Sequence, residues 1–172
     1  MASDVVAYLA VSLDGFIAAS DGSVTFLDDF GSEEFGFHEF IAGVGATVMG
    51  STTYEQVLGF GWPYGDMTTL VLTSRQLEVP EDAIVTFSSA RTGDAITSFA
   101  AATDKRVWII GGGRVVTAAL GAGVVDTLEL YIMPVALGQG VPLFTEPCGG
   151  PLTLIESQAF SNGVVKLVYA AS

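Results

Sequence analysis

The chain has 172 residues, half of them apolar, with one cysteine and a formal charge of −13 from 19 acidic and six basic residues. That length suits a single domain over residues 1–172, and the apolar share excludes a disordered chain. The acidic balance argues against nucleic acid, which needs a basic surface, and the lone Cys148 excludes an internal disulfide or a Cys-rich metal site.

The opening "MASDVV" lacks the basic and apolar regions of a secretory signal. No apolar run reaches the roughly 20 residues of a membrane span. The expectation is a cytoplasmic protein. "DVVAYLAVSL" then reads as a strand buried on both faces. "DGFIAASDGS" reads as a loop. From Ser32 to Val44, the residues Phe37, Phe40, Ile41 and Val44 recur at helical spacing, with Ser32 as cap and Glu33 and Glu34 in the first turn. His38 falls on the surface of that helix. It has no nucleophile motif beside it, and no zinc or EF-hand spacing occurs, so no metal is expected.

"ATVMG" is a strand that runs into the helix "STTYEQVL", where Thr52 and Glu55 have capping-box spacing. "TTLVLTS" and "AIVTF" are strands, and "GDAITSFAAA" is a helix with Ile96 and Phe99 on one side. "KRVWIIGG" is a strand and "GRVVTAALG" a short helix ended by glycine. "DTLELYIMP" alternates Leu128, Leu130 and Ile132 against Thr127, Glu129 and Tyr131. "PLTLIESQAF" and "GVVKLVYAA" are strands separated by "SNG", a hairpin signal. Strand–helix alternation followed by antiparallel strands predicts an α/β fold. Its sheet would have about eight strands, mostly parallel, with helices beside it.

Three strand-to-helix junctions stand out. Gly111, Gly112 and Gly113 end a strand and precede Arg114. They do not match G-x-G-x-x-G, because Val116 holds the third position, and no Gly-Lys-Ser/Thr follows. What remains is a helix N-terminus with free N–H groups, suited to an anion, or a plain turn that needs glycine. Gly50, Ser51, Thr52 and Thr53 form a second junction, where the same donors serve a phosphate or a simple cap. Thr73, Ser74 and Arg75 form a third, suited to a phosphomonoester or an ordinary polar turn. Three such junctions on one sheet point to one ligand at the carboxyl ends of its strands.

The order "MGSTTYE", "LVLTSR", "VWIIGGGRVV" resembles the dihydrofolate reductase superfamily. "SLDGFIA" and "MPVALGQGVPLF" look more like a sister branch, the C-terminal reductase domain of the riboflavin-biosynthesis deaminase-reductase and its stand-alone relatives. The resemblance runs from about Val5 to Phe144. It implies a three-layer dihydrofolate reductase-like fold and NADPH as hydride donor. Carried over, Gly50, Ser51, Thr52 and Thr53 would meet the cofactor's phosphates and ribose. Leu72, Thr73, Ser74 and Arg75 would hold the adenosine end, with Ser74 and Arg75 at the 2′-phosphate. Ile110, Gly111, Gly112, Gly113, Arg114 and Val115 would face the pyrophosphate, and Ala10 and Ile17 the nicotinamide.

The resemblance also frames the substrate side. Dihydrofolate reductases carry an acid in the first helix, and Glu34 or Glu33 falls there. An acidic first turn also suits the helix dipole without any ligand. Asp14 is a second candidate for proton relay, or a residue that organises the loop over the nicotinamide. Two positions depart from the pattern: Ser51 where arginine is frequent, and Phe16 where many riboflavin enzymes are basic. The nearest named activity is 5-amino-6-(5-phosphoribosylamino)uracil reductase. Dihydrofolate reductase, or an NADP-binding protein with little activity, is the alternative. Relatives often pair as homodimers, and the apolar C-terminal strands suit an interface.

Overall fold

The computed structural model describes residues 3–31 and 35–171. Among these, eight strands form one sheet in the order β5-β4-β3-β6-β1-β7-β10-β9. β1 (Val5–Ser12) lies between β6 (Arg106–Gly111) and β7 (Thr127–Met133), parallel to both. Its near-continuous apolar run follows from that place, because both of its faces are covered. β3 (Val44–Gly50), β4 (Thr68–Leu72) and β5 (Ile84–Ser88) continue the parallel half. β10 (Val165–Ala170) and β9 (Thr153–Ala159) close the other side antiparallel, joined at the expected "SNG" turn.

Helices cover the sheet on both faces. α3 (Thr92–Ala100) and α4 (Gly113–Gly121) pack Ile96, Val116 and Ala119 against Ala7, Leu9 and Val11 of β1. α1 (Phe37–Ala42) packs Phe40 against Val6, Tyr8 and Trp108, and α2 (Ser51–Phe60) packs Tyr54 against Met49 and Val71. Leu70 joins the first cluster and its neighbour Val71 the last, which is the strand period of two read across a sheet. α4 begins on glycine, which costs about 1 kcal/mol. Val116 is fully buried, and a buried valine contributes about 2 kcal/mol, so packing holds the helix despite its start. No described helix is long and apolar enough to cross a membrane.

Three local expectations are corrected. The helix expected from Ser32 begins only at Phe37, because Gly36 takes a left-handed φ of 72° that stops it; Val44 belongs to β3, and Ser32, Glu33 and Glu34 lie outside the described residues. The "DGFIAASDGS" loop contains a short strand, β2 (Phe16–Ala18), which pairs with β8 (Val141–Pro142) from a distant part of the chain. The Thr52–Glu55 capping box does not form: Gly50 is the N-cap of α2, with no side-chain cap bond. Both faces of β7 are covered: Tyr131 is only 3% exposed, because the second helix layer lies over its face.

Candidate active site

Strand register brings the three junctions together. Gly50 sits beside Leu72, and Met49 beside Gly111, so β3, β4 and β6 end side by side. α2 leaves β3 directly, and α4 starts one residue after β6 with Gly112 as N-cap. Neither helix has a side-chain cap, so each presents free N–H groups and roughly half a positive charge. The two N-termini converge. A Cβ placed on Gly112 would lie 3.6 Å from Thr53 Oγ1 and 3.9 Å from the Gly50 nitrogen.

Two of the glycines are demanded by geometry. Gly112 has a φ of 86°, which L side chains rarely adopt. At Gly113 a Cβ would stand 2.1 Å from the Pro142 carbonyl oxygen, so the chain after β7 closes directly over the start of α4. Arg114 is exposed in the first turn of α4 and has no carboxylate partner among the described residues.

The turn after β4 is held by its own atoms. The Thr73 N–H donates to the Ser88 carbonyl at 2.8 Å, and the Arg75 N–H donates to Thr73 Oγ1 at 3.0 Å. Ser74 and Arg75 are left exposed. The Arg75 guanidinium forks onto Glu55 of α2, donating at 3.2 and 2.8 Å, which raises its already high pKa. Thus Glu55, expected to cap α2, instead orients Arg75. Exposed pairs of this kind add little to stability. A charge-assisted bond to phosphate is the stronger contact, so an incoming phosphate can share or displace the carboxylate.

Asp14 occupies the turn between β1 and β2. It accepts from the Ser12 hydroxyl at 2.7 Å and from the N–H groups of Leu137 and Gly138 at 3.0 and 2.6 Å. The Ser12 bond, then the backbone bonds, hold its carboxyl down at about 2. Asp14 therefore ties this turn to the segment after β7 as an anion. Ala10 and Ile17 lie in different surroundings. Ala10 is half-buried with Tyr8 and Trp108, whereas Ile17 packs on the cluster of the α3–α4 face.

Beside Ala10 the structure assembles aromatic residues that no local motif marks. Tyr8 stacks on Phe40 at 4.2 Å and meets Trp108 edge-on at 6.1 Å. Phe26, Phe37, Tyr64 and Ile110 are half-buried in the same cluster. The Tyr131 hydroxyl lies 2.9 Å from the Phe35 carbonyl and 2.8 Å from Glu129 Oε1, and can donate its one proton to either. Burial pushes Tyr8 up to about 12 and Tyr131 higher still, so both phenols stay protonated. Lys166 lies between Glu129 at 3.5 Å and Glu156 at 3.3 Å.

The Bacillus subtilis (strain 168) protein YwjB, itself uncharacterized, is 35% identical over 149 residues, 85% of each chain. A crystal structure of a putative riboflavin biosynthesis protein from Shewanella sp. PV-4 superposes with a TM-score of 0.83 and 27% identity, covering 99% of this chain and 98% of that one. Dihydrofolate reductase from Enterococcus faecalis, solved with NADP(H), shares the fold with a TM-score of 0.70 and 20% identity, over 97% and 95%. The family model of the RibD C-terminal domain matches residues 4–166, so the chain belongs to that family.

Proposed function

We propose that this chain is an NADPH-dependent reductase acting on a C=N bond of a small heterocyclic or ribosylamine-type substrate. The carrying observation is the meeting of two uncapped helix N-termini at Gly112, next to the exposed Ser74–Arg75 turn. The fit is physical. The cradle offers backbone donors where a side chain could not enter, and an arginine already presented by Glu55 stands at its edge. Gly50 to Thr53 and Ile110 to Val115 would hold the pyrophosphate. Leu72 to Arg75 would hold the adenosine end, and Ala10 and Ile17 the nicotinamide.

NADPH, when bound, supplies the hydride. The chain's own part is to orient the reactants and exclude water. Asp14 is a positioning residue in this reading, because a carboxyl held near 2 is a poor proton donor at neutral pH. Glu34 remains the candidate for proton relay. The nearest named chemistry is 5-amino-6-(5-phosphoribosylamino)uracil reduction in riboflavin biosynthesis. A second copy of the chain is the partner proposed for β9, an edge strand exposed at every residue, with Leu154 51% and Ile155 62% exposed. Light scattering that reads a monomer would remove that part.

The deciding experiment is a titration of tryptophan fluorescence with NADPH and with NADH. NADPH is expected to bind at least tenfold tighter. Equal affinities would sink the Ser74–Arg75 assignment.

A further inference from the structure

The six cationic side chains of this chain are all described, and each has a place. Arg75 is forked onto Glu55, and Arg114 opens α4; both stand at the cradle. Arg106 begins β6, where it pairs with Asp4 at 2.9 Å and lies over the Phe40 ring at 5.6 Å. Lys105 precedes it. These two are at the amino-terminal ends of the parallel strands, the edge opposite the cradle. Arg91 lines a cleft between α3 and α4 with Thr117, Gly121 and Cys148, on the other face of the sheet. Lys166 is on the aromatic side, but it is held between Glu129 and Glu156, so the trio carries a net negative charge.

A phosphomonoester brings nearly two negative charges. NADPH brings one such group and a pyrophosphate, and these claim Arg75 and Arg114 with the two helix N-termini. Next to Ala10 and Ile110, no cation is left for a second phosphomonoester. What that side does offer is rings: half-buried Phe26, Phe37 and Tyr64 pack on the same cluster as the two aliphatic residues, with Tyr8 and Trp108 in its buried part. Tyr64 faces Trp108 edge-on at 6.0 Å, and Phe37 does so at 5.8 Å. Such a surface attracts a flat ring system and gives a dianion no lysine or arginine.

From this charge distribution we infer that the substrate is a planar heterocycle carrying no phosphate, stacked against the aromatic cluster beside Ala10 and Ile110. The inference rests on the NADPH reading of the cradle. It separates this chain's substrate from the phosphorylated ribosylaminouracil of the nearest named activity. His38, the single histidine and exposed on α1 next to Phe37, is the side chain to test as a phosphate partner there.

The test uses the NADP+-saturated protein. Ribose 5-phosphate is titrated in the millimolar range and followed by phosphorus NMR. No saturable binding is expected. Saturable binding would overturn the inference, and its loss in His38→Gln would name the residue responsible. In parallel, 5-amino-6-ribosylaminouracil and its 5′-phosphate are compared by quenching of Trp108, with Trp108→Phe as the control. The phosphate-free compound is expected to bind at least tenfold tighter. Equal or tighter binding of the phosphate would also overturn the inference. If neither compound binds, the ribose 5-phosphate result decides. Failure of the cofactor reading has a different signature: NADPH and NADH then bind alike or not at all. In that case Arg75 and Arg114 are free for a substrate phosphate, and the inference falls with the reading it rests on.

Discussion

At the cradle the protein offers a ligand its backbone; beside Ala10 it offers side chains. The cradle consists of N–H groups at two helix starts, glycines and two exposed arginines. The aromatic side has rings from β1, α1, β6 and the loops before α1 and β4. The two differ in what they demand of the chain. A backbone cradle needs glycine where atoms approach closely, and it cannot be rebuilt by exchanging side chains. An aromatic surface needs only bulk and flatness, and tolerates many residues. A cofactor shared by a family suits the first, and a substrate that differs between members suits the second.

The largest expected effect falls on the cradle. In Gly113→Ala, the new Cβ would stand 2.1 Å from a backbone oxygen of Pro142, and neither partner is a flexible side chain that can move aside. Overpacking against backbone should cost about 3 kcal/mol, or roughly 10 °C in melting temperature for a chain of this size. NADPH binding should fall with it. If Gly113→Ala melts like the parent, the segment after β7 does not close over α4 as described. A matching change on the other side, Phe26→Leu, should leave NADPH affinity unchanged. Loss of NADPH binding there would break the division between the two sides.

A smaller effect separates charge from backbone within the cradle. Arg75→Ala should weaken NADPH by about 10- to 100-fold, the range of a charge-assisted bond, and leave NADH nearly untouched. Stability should be nearly unchanged, because the Arg75–Glu55 pair is exposed. Glu55→Gln tests the same point in reverse. It frees the guanidinium, so NADPH should bind as tightly as in the parent or a few-fold tighter. Weaker NADPH binding in Glu55→Gln would mean that Glu55 is needed to present Arg75, and that the two act as one unit.

The same contrast explains which features could be read in the sequence. The cradle comes from continuous segments. "MGSTT" and "GGGR" each place a strand end, a turn and a helix start within a few residues, so local rules reach them. The sheet was legible for a similar reason: the two-faced apolar run of β1 could only be central, and "SNG" could only turn. The pairing of Glu55 with Arg75 was not legible, since it depends on the register that sets Gly50 beside Leu72. Nor was the aromatic side. Tyr8, Phe37, Tyr64 and Trp108 meet only after four crossovers, and each alone reads as core. Nor does the alternation of β7 tell whether the face of Tyr131 is solvated or covered by a second helix layer. The start of α1 was lost to a single residue, Gly36, whose left-handed φ overrides the helical spacing of the phenylalanines.

The smallest effect concerns Asp14, which belongs to neither side but joins the turn beside both to the segment after β7. Its folded carboxyl sits at about 2, below the ordinary 3.8, through the Ser12 hydroxyl first and then backbone donors. A depressed carboxyl stabilises the fold above its ordinary value and loses that contribution as pH falls toward the folded value. The stability gap between the parent and Asp14→Asn should therefore be constant at neutral pH, narrow below about pH 4 and close by about pH 2, read from urea melts at each pH. A gap that persists to the lowest pH would mean that the loop is held by shape alone. The same variant tests the assigned role. A carboxyl held below its ordinary value is ionised at pH 7 and too rarely protonated to serve as an acid. Asp14→Asn should therefore change KM through the loop and leave the pH profile of kcat in place. A shifted kcat profile would return Asp14 to proton transfer.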